Sequence, residues 1–500
     1  MKFASVLRNN WLLICLFSLG ALLRIYNFWV PDLSVDEYGT WWVASGSWPD
    51  VIHRVISNGT QSPFYYSIIK LSTDLIGAGP VSLRLPSILF GIGILGLAYP
   101  LGNRIFNDRH AALLALAAFA VNETIIIYSQ DARPYVLALF LTMLSFLFYV
   151  SMLREQKKIY QFGYVLATSA AYYAHYLFGF IVVIQILHLF ITRGWSWLSE
   201  KRWLYPLIGM ALLCLPGLPQ FFSLFMRRQT LNWVPPQPWT APIKLAIDYF
   251  DPYILSATVL AVLITGFSGS NKEERENPAG RILLLLWFFL PFLGFALIPP
   301  LFGVTLLNPR YVISALPAAL FIMGWLMASA IRVGWRKWAP LAAFLVFTLI
   351  LSLAPTLKRT ETFAPWPRQG WAKAADLLKT FGRPDDLVFF QAGFIEGNFT
   401  AQPDPSPLLI SALTWPLFAN LPTGQRYQVM ILPYGLNEHT LSYINSAYAE
   451  ASKHRRVWVI GQGGLTPVFA RQLVTNSSFH LLQNASFGTV QVLTLAREDR

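Results

Sequence analysis

The run PYVLALFLTMLSFLFYVSML, residues 134–153, holds twenty positions without a single charge. Twenty helical residues rising about 1.5 Å each span the roughly 30 Å of a hydrocarbon layer. The flanks sharpen the reading: Asp131 and Arg133 precede the run, and Arg154, Lys157 and Lys158 follow it. It is a membrane crossing. Working outward, comparable apolar stretches recur at 11–29, 81–102, 111–127, 160–174, 177–192, 204–222, 254–268, 282–300, 311–330 and 339–355. The sequence thus predicts a polytopic α-helical membrane protein of about eleven transmembrane helices. The stretches 111–127, 160–174 and 254–268 are short for a full crossing and are expected to tilt or to borrow length from their flanks.

Composition agrees. Of 500 residues 55% are hydrophobic and only 13% charged, against about 25% charged in soluble proteins. The charge is also uneven, with 40 charged residues in the first 356 positions and 23 in the last 144. That step divides the chain into a transmembrane domain, 1–356, and a soluble C-terminal domain, 357–500. In the latter, helical patterns (Trp371 to Phe381, Leu441 to Ser452, Val468 to Val474) alternate with strand patterns (Leu387 to Gln391, Gln428 to Leu432, Val457 to Ile460, Val490 to Leu495). Such alternation predicts a small α/β fold.

The net charge of +13 comes from small Lys and Arg groups between apolar stretches, without a basic stripe, so nucleic acid is not an expected partner. The groups are topology signals. With the N-terminus cytoplasmic, 16 of the 25 basic residues before position 357 fall on that side, as the positive-inside rule requires. Long loops 30–80 and 223–253 and the C-terminal domain then lie outside. Within the first loop, Tyr65 to Ile76 reads as an interfacial amphipathic helix, with Trp29, Trp41, Trp42 and Trp48 as headgroup-level anchors. The start, Lys2 and Arg8 before an apolar run, reads as a retained signal anchor, because Arg24-Ile25-Tyr26 offers no small-residue cleavage site. Cys15 and Cys214 sit inside apolar stretches, which argues against a disulfide or a cysteine metal site.

Several polar residues gather at the outer face by this parity. Asp36 and Glu37 follow the first span, Asp131 and Arg133 precede the fourth, His175 lies between the fifth and sixth, and Arg310 opens the tenth. Charges at that depth are costly unless paired or used. Each has a plain structural reading: Asp36-Glu37 as a solvated or helix-capping pair, Asp131 as the cap of the fourth helix, a lone His or Arg as a snorkelling group. Together, two carboxylate sites, two arginines and a histidine suit an anionic, membrane-dissolved substrate, since the guanidinium fork binds phosphate with paired donors.

Six motifs occur in order: Asp36-Glu37; Gln61-Ser62-Pro63-Phe64-Tyr65-Tyr66; Ser82-Leu83-Arg84-Leu85-Pro86-Ser87; Tyr128-Ser129-Gln130-Asp131-Ala132-Arg133-Pro134-Tyr135; Ala174-His175-Tyr176; and Pro309-Arg310-Tyr311 before Leu316-Pro317. This order resembles that of bacterial family 39-like glycosyltransferases of the GT-C membrane superfamily, relatives of the protein O-mannosyltransferases and aminoarabinose transferases. The resemblance covers roughly residues 10–330, not the C-terminal domain. It implies a GT-C-like fold and an inverting transfer, on the non-cytoplasmic face, from a polyprenyl-phosphate sugar to a lipid, glycan or protein acceptor. By the same resemblance Asp36 is the catalytic acid-base candidate; Glu37 and Asp131, at the same membrane face, are read as further catalytic candidates. Arg133, Arg310 and His175 would bind the donor phosphate, and Gln61, Tyr65, Tyr135 and Tyr311 the substrate.

Where many members carry His-Pro-Pro, this chain has Gln61-Ser62-Pro63. A glutamine amide is a poor divalent-metal ligand. A Mg or Mn cofactor therefore stays open, with Asp36 and His175 as its candidate ligands. Two other classes compete: a flippase or transporter of lipid-linked sugars, and an idle relative that only binds polyprenyl phosphate. Transporters show repeated halves and midplane charges, whereas the acidic residues here cluster at span ends, and Asp36 argues against idleness. The sequons at Asn58, Asn398, Asn476 and Asn484 do not decide the compartment. The bacterial-type motifs point to an inner (plasma) membrane with a periplasmic active face.

Overall fold

The computed structural model describes residues 2–26, 28–29, 32–57, 61–227, 238, 240–249, 278–303, 306–331, 369–402, 404–422, 427–476 and 478–497. The expected spans at 254–268 and 339–355 lie outside them. The chain forms two compact units. One is Met1–Phe28, Gly59–Tyr65 and Arg84–Phe363; the other is Trp29–Asn58, Tyr66–Leu83 and Ala364–Arg500.

The first unit is helical and apolar, the body of a multi-pass membrane protein. After α1 (Lys2–Ile25), and after α2 (Val35–Ala44), α3 (Trp48–Ser57) and α4 (Pro63–Ile76) of the first loop, come α5 (Pro80–Phe106), α6 (Arg109–Val121) and α7 (Glu123–Ser129). Then follow α8 (Tyr135–Arg154), α9 (Lys158–Ala174), α10 (Ile181–Arg193), α11 (Lys201–Cys214), α12 (Leu218–Met226), α13 (Ala241–Tyr249), α14 (Pro278–Phe302) and α15 (Leu316–Ile331). Among the described residues six stretches are long and apolar enough to cross: Pro80–Phe106, Tyr135–Arg154, Tyr176–Ser199, Lys201–Met226, Pro278–Ile298 and Pro309–Ser329. A seventh appears if α6 and α7, bent by 56°, count as one span. The expected spans at 11–29 and 160–174 are represented by shorter helices. The apolar part of α1 is Asn10–Ile25, and α9 has 17 residues, about 25 Å at the usual rise.

The bend between α6 and α7 has a visible cause. Asn122 adopts an extended conformation and its side chain accepts from the Ile125 N–H at 3.0 Å, so it starts a new helix where the old one ends. The last carbonyls of α6 would then lack partners in an apolar medium, a cost of several kcal/mol each. Arg24, fully buried on α1, donates to the Phe119 and Ala120 carbonyls at 2.9 and 3.2 Å. In return Gln130 closes α1, its amide reaching the carbonyls of Leu23, Arg24 and Tyr26 at 3.3, 3.1 and 2.7 Å. These ties fix the turn that carries Asp131 and Arg133.

Small residues let neighbouring helices approach. A Cβ on Gly324 of α15 would stand 2.5 Å from the Ala115 nitrogen of α6, so any side chain there forces the pair apart. Larger contacts lock the rest: Trp287 of α14 stacks on Phe146 of α8 at 3.7 Å and donates to the Ser314 carbonyl at 2.7 Å.

The second unit contains α16 (Trp371–Phe381), β1 (Leu387–Gln391), α17 (Pro407–Phe418), β2 (Gln428–Ile431), α18 (Glu438–Ala451), β3 (Arg456–Gly461), α19 (Leu465–Asn476), β4 (Phe479–Phe487) and β5 (Val490–Arg497). The sheet order is β2-β1-β3-β5-β4, with β1 parallel to β2 and β3, and β5 antiparallel to β3 and β4. All five residues of β1 are buried, as a central strand covered on both faces requires. The expected α/β alternation is present, with α17 and β4 added. Asp386, just before β1, is nearly buried and accepts from Arg456 Nε at 2.9 Å, from Trp458 Nε1 at 2.8 Å and from the Arg383 N–H at 2.8 Å. This ties β3 to the start of β1.

Helices α2 and α3 belong to this unit. Trp42 is 2% exposed, and its indole donates to Ser411 Oγ of α17 at 3.0 Å. The expectation that Trp42 anchors at headgroup level is therefore corrected: its N–H is satisfied inside protein. Trp29 and Trp48 are exposed.

Candidate functional site

In the membrane unit the histidine is the centre of a defined cluster. His175 ends α9 and is 2% exposed. Its ring lies 5.4 Å from that of Tyr135, 6.0 Å from that of Tyr311 and 5.6 Å from that of Phe178. Burial first, then the charges of Arg133 and Arg310, lower its pKa to about 3. The imidazole at this junction between spans is thus neutral throughout the physiological range. Its Nδ1 finds no hydrogen-bond partner among the described residues, an expensive condition for a buried polar atom unless a ligand meets it.

Local sequence places each neighbour. Arg133 sits in the tight turn between α7 and α8, its N–H bonded to the Asp131 carbonyl at 2.8 Å. Arg310 rides the first turn of Pro309–Val312, where the Asn308 side chain accepts the Arg310 N–H at 3.1 Å. Gln61 uses its carbonyl oxygen to accept the Tyr176 N–H at 3.3 Å, pinning the segment next to His175. Asp131 and Tyr65 are buried, at 3% and 0% exposure. Asp131 does not cap the fourth helix: α8 begins at Tyr135 behind Pro134, with no side-chain cap. The structure therefore brings His175, Tyr135, Tyr311, Arg133 and Arg310 together, with Gln61 as a support of the adjoining backbone.

Asp36 and Glu37 lie in the second unit, on α2. Ser34 is the N-cap, its hydroxyl accepting from the Glu37 N–H at 3.2 Å, while Glu37 Oε2 accepts the Ser34 N–H at 2.9 Å. This reciprocal capping box gives Glu37, 3% exposed, a structural task and leaves Asp36 in the first turn, half-buried. The helix starts at Val35, so the pair lies inside its first turn and the cap is Ser34. A carboxylate absent from the sequence candidates, Glu396, lies within reach of Asp36's charge. Burial first, and then Asp36, push its carboxyl above the usual range. The proximity of the two segments is supported by Gly39, one turn beyond Asp36, where a Cβ would stand 3.8 Å from the Phe394 ring.

No three of His, Cys, Asp and Glu group as metal ligands among the described residues. His175 in particular stands among arginines and rings, a setting that repels a cation. The residues present do not fit a divalent metal at His175. A surface cleft of about 470 Å³ in the C-terminal domain, lined by Gln402, Met430, Tyr443 and Ser446 among others, holds none of these candidate groups.

Comparison with known proteins follows the same lines. A family profile described as dolichyl-phosphate-mannose-protein mannosyltransferase matches residues 60–219. ArnT from Cupriavidus metallidurans in the apo state superposes with a TM-score of 0.58 at 13% identity, over 98% of each chain. The same protein bound to undecaprenyl phosphate gives 0.56 at 12% identity, over 96% of this chain and 97% of that one. The apo oligosaccharyltransferase of Archaeoglobus fulgidus gives 0.51 at 11% identity, over 89% and 69%. No curated protein sequence matches. At such identities the likeness is one of fold alone, shared with ArnT and with the archaeal oligosaccharyltransferase over most of this chain.

Proposed function

We propose that this protein is a membrane glycosyltransferase that moves a sugar from a polyprenyl-phosphate donor to a lipid, glycan or protein acceptor. The carrying observation is the buried neutral His175 with an unpartnered Nδ1, under the charge of Arg133 and Arg310. Two cations and a polar ring atom are what a lipid-linked phosphate needs when it leaves water. The match of residues 60–219 to a family named for a dolichyl-phosphate sugar, and the superposable ArnT with undecaprenyl phosphate, support the same donor class.

In this reading the chemistry is a single displacement with inversion. The acceptor oxygen attacks the anomeric carbon, Asp36 takes the acceptor's proton, and the polyprenyl phosphate leaves with the bonding electron pair. Arg133 and Arg310 stabilise the growing phosphate charge through fixed paired donors. Tyr135 and Tyr311 wall the phosphate site. Glu37 holds the turn of Asp36, and Asp131 serves the acceptor side. The orientation follows from the charge parity: N-terminus cytoplasmic, Asp36 and residues 357–500 on the periplasmic side of an inner membrane.

The test is consumption of polyprenyl-phosphate sugars by the full chain in lipid discs, followed by mass spectrometry, with Asp36→Asn and Arg310→Ala in parallel. Loss of turnover in folded Asp36→Asn with donor binding kept, and loss of donor binding in Arg310→Ala, is the expected pattern. Normal turnover in Asp36→Asn would remove the assigned base. Movement of intact donor between leaflets without turnover by any of the proteins would replace the enzyme with a flippase.

A further inference from the structure

The C-terminal domain holds the α2 helix at several points along its length. At the start, Gln369 Oε1 accepts the Val35 N–H, the residue immediately before Asp36. The same oxygen accepts Trp371 Nε1–H at 3.1 Å. Next to it the Gly370 N–H donates to both carboxylate oxygens of Asp32, at 3.2 and 3.0 Å. In the middle, Asn420 donates to the Tyr38 hydroxyl at 2.7 Å, and Trp41 meets Trp415 edge-on at 6.2 Å. At the far end Trp42 donates to Ser411.

The anchor on the domain side is itself rigid. Gln369 is 5% exposed and its carbonyl accepts the Val490 N–H at 3.0 Å, at the start of β5. Gly370 has φ of +81°, and a Cβ there would stand 2.2 Å from the Phe487 carbonyl oxygen of β4. Only glycine fits. The β4–β5 hairpin therefore fixes Gln369–Gly370, and these fix Asp32 and Val35. The first backbone donors of a helix have no partner within it; here the Ser34 N–H goes to Glu37, the Val35 N–H to Gln369 and the Glu37 N–H to Ser34. The first turn of α2 is thus set from both sides, by its own capping box and by a residue more than 300 positions away.

We infer that Gln369 is a positioning residue for Asp36, and that the C-terminal domain sets the place of the general base. This rests on the reading of Asp36 as the base. Displacing a catalytic group by about 1 Å costs on the order of 100-fold in rate, while ground-state binding of the donor phosphate draws on residues of the other unit.

The test uses the full chain in lipid discs with three variants. Gln369→Met keeps the volume and removes the acceptor, Gln369→Glu keeps an acceptor oxygen, and Tyr38→Phe releases the middle contact. The expected result for Gln369→Met is a kcat lower by roughly 10- to 100-fold, donor KM within about twofold, and faster amide hydrogen exchange at 35–38. Gln369→Glu recovers part of kcat, and Tyr38→Phe shows the same split more weakly. Wild-type kcat with unchanged exchange in Gln369→Met overturns the inference. So does a parallel fall of kcat, donor binding and melting temperature, which marks a merely structural role. Should Gln369→Met fail to fold, Tyr38→Phe decides, and wild-type kcat there overturns the inference. Asp36→Asn in the same assay separates the failures: full activity in that variant removes the base, while the exchange arm still reports whether Gln369 holds α2.

Discussion

Glu396, in the C-terminal domain, is held under the charge of Asp36 on the first-loop helix, and its proton affinity is raised by burial and by that charge. A carboxyl whose folded pKa lies above its unfolded value favours the folded state fully at pH below the unfolded value, and that contribution is lost as pH rises through the folded one. Glu396→Gln, a neutral replacement of equal size, is expected to melt at a higher temperature than wild type at pH 7. The gap should close as pH falls towards 4. Melting followed in detergent from pH 4 to 8 checks this, and a constant gap across that range contradicts it.

His175 has the opposite linkage. Its folded pKa is about 3, below the usual value near 6.5, so the unfolded chain binds a proton that the folded one refuses. Stability from this group is present above about pH 6.5 and declines as pH falls towards 3. His175→Asn is expected to soften the acid loss of melting temperature between pH 7 and 5. Because the ring stays neutral over this interval, the pH profile of turnover should carry no step belonging to His175.

Arg310→Lys tests whether the site needs a fork or only a charge. A lysine keeps the charge but gives up the planar paired donors, and a hydrogen bond to a charged group is worth about 1.5–3 kcal/mol. Donor binding is therefore expected to weaken by roughly 10- to 100-fold, measured by titrating a polyprenyl phosphate into discs. Equal binding by both proteins would mean that Arg310 acts through charge alone.

The parts of this structure that were legible beforehand share a physical reason. Residues 134–153 are a mostly apolar run without a charge and 387–390 an unbroken apolar one, and continuity is a signal that survives without knowledge of neighbours. Strand β4, Phe479–Phe487, escaped because it is an edge strand with mostly exposed side chains and therefore no burial pattern to read. The start of α2 was legible in principle, since Ser34 and Glu37 have the spacing of a capping box. His175, Arg133 and Arg310 were found because charges and polar rings at span ends stand out against an apolar background. Glu396 and Gln369 do not stand out in a domain that is polar anyway; only tertiary contact links them to Asp36 and Val35.

The buried Asp386–Arg456 pair makes a stability prediction for the C-terminal domain. Asp386 Oδ2 accepts from both Arg456 and Trp458, so Asp386→Ala leaves a buried indole N–H without its acceptor and a partly buried guanidinium without its counter-charge, with only the Phe381 carbonyl still accepting from it. Breaking such a pair costs about 3–5 kcal/mol. The expected result is early loss of protease resistance in residues 369–497 at temperatures where the helices of the membrane unit stay protected. Uniform cleavage in both regions would contradict it.

A last prediction concerns the network joining α8, α9 and α10. The His188 Nε2 lies 2.9 Å from the Ala279 carbonyl, which can only accept, so Nε2 carries the proton and Nδ1 accepts from the Tyr149 hydroxyl at 2.6 Å. Gln185 continues the chain, accepting from Tyr164 at 2.7 Å and donating to Ser145 at 3.1 Å, and Ser145 lies 2.7 Å from the Thr168 hydroxyl. Interhelical hydrogen bonds in a bilayer contribute about 0.5–2 kcal/mol each. Gln185→Leu strands Tyr164 as a buried donor, whereas the double variant Gln185→Leu with Tyr164→Phe removes both ends. The single variant should therefore be the less stable of the two, an inversion that melting of both proteins in detergent would reveal. Equal or additive losses would mean that the network tolerates an unpaired hydroxyl, and that packing of α8 against α9 carries this region instead.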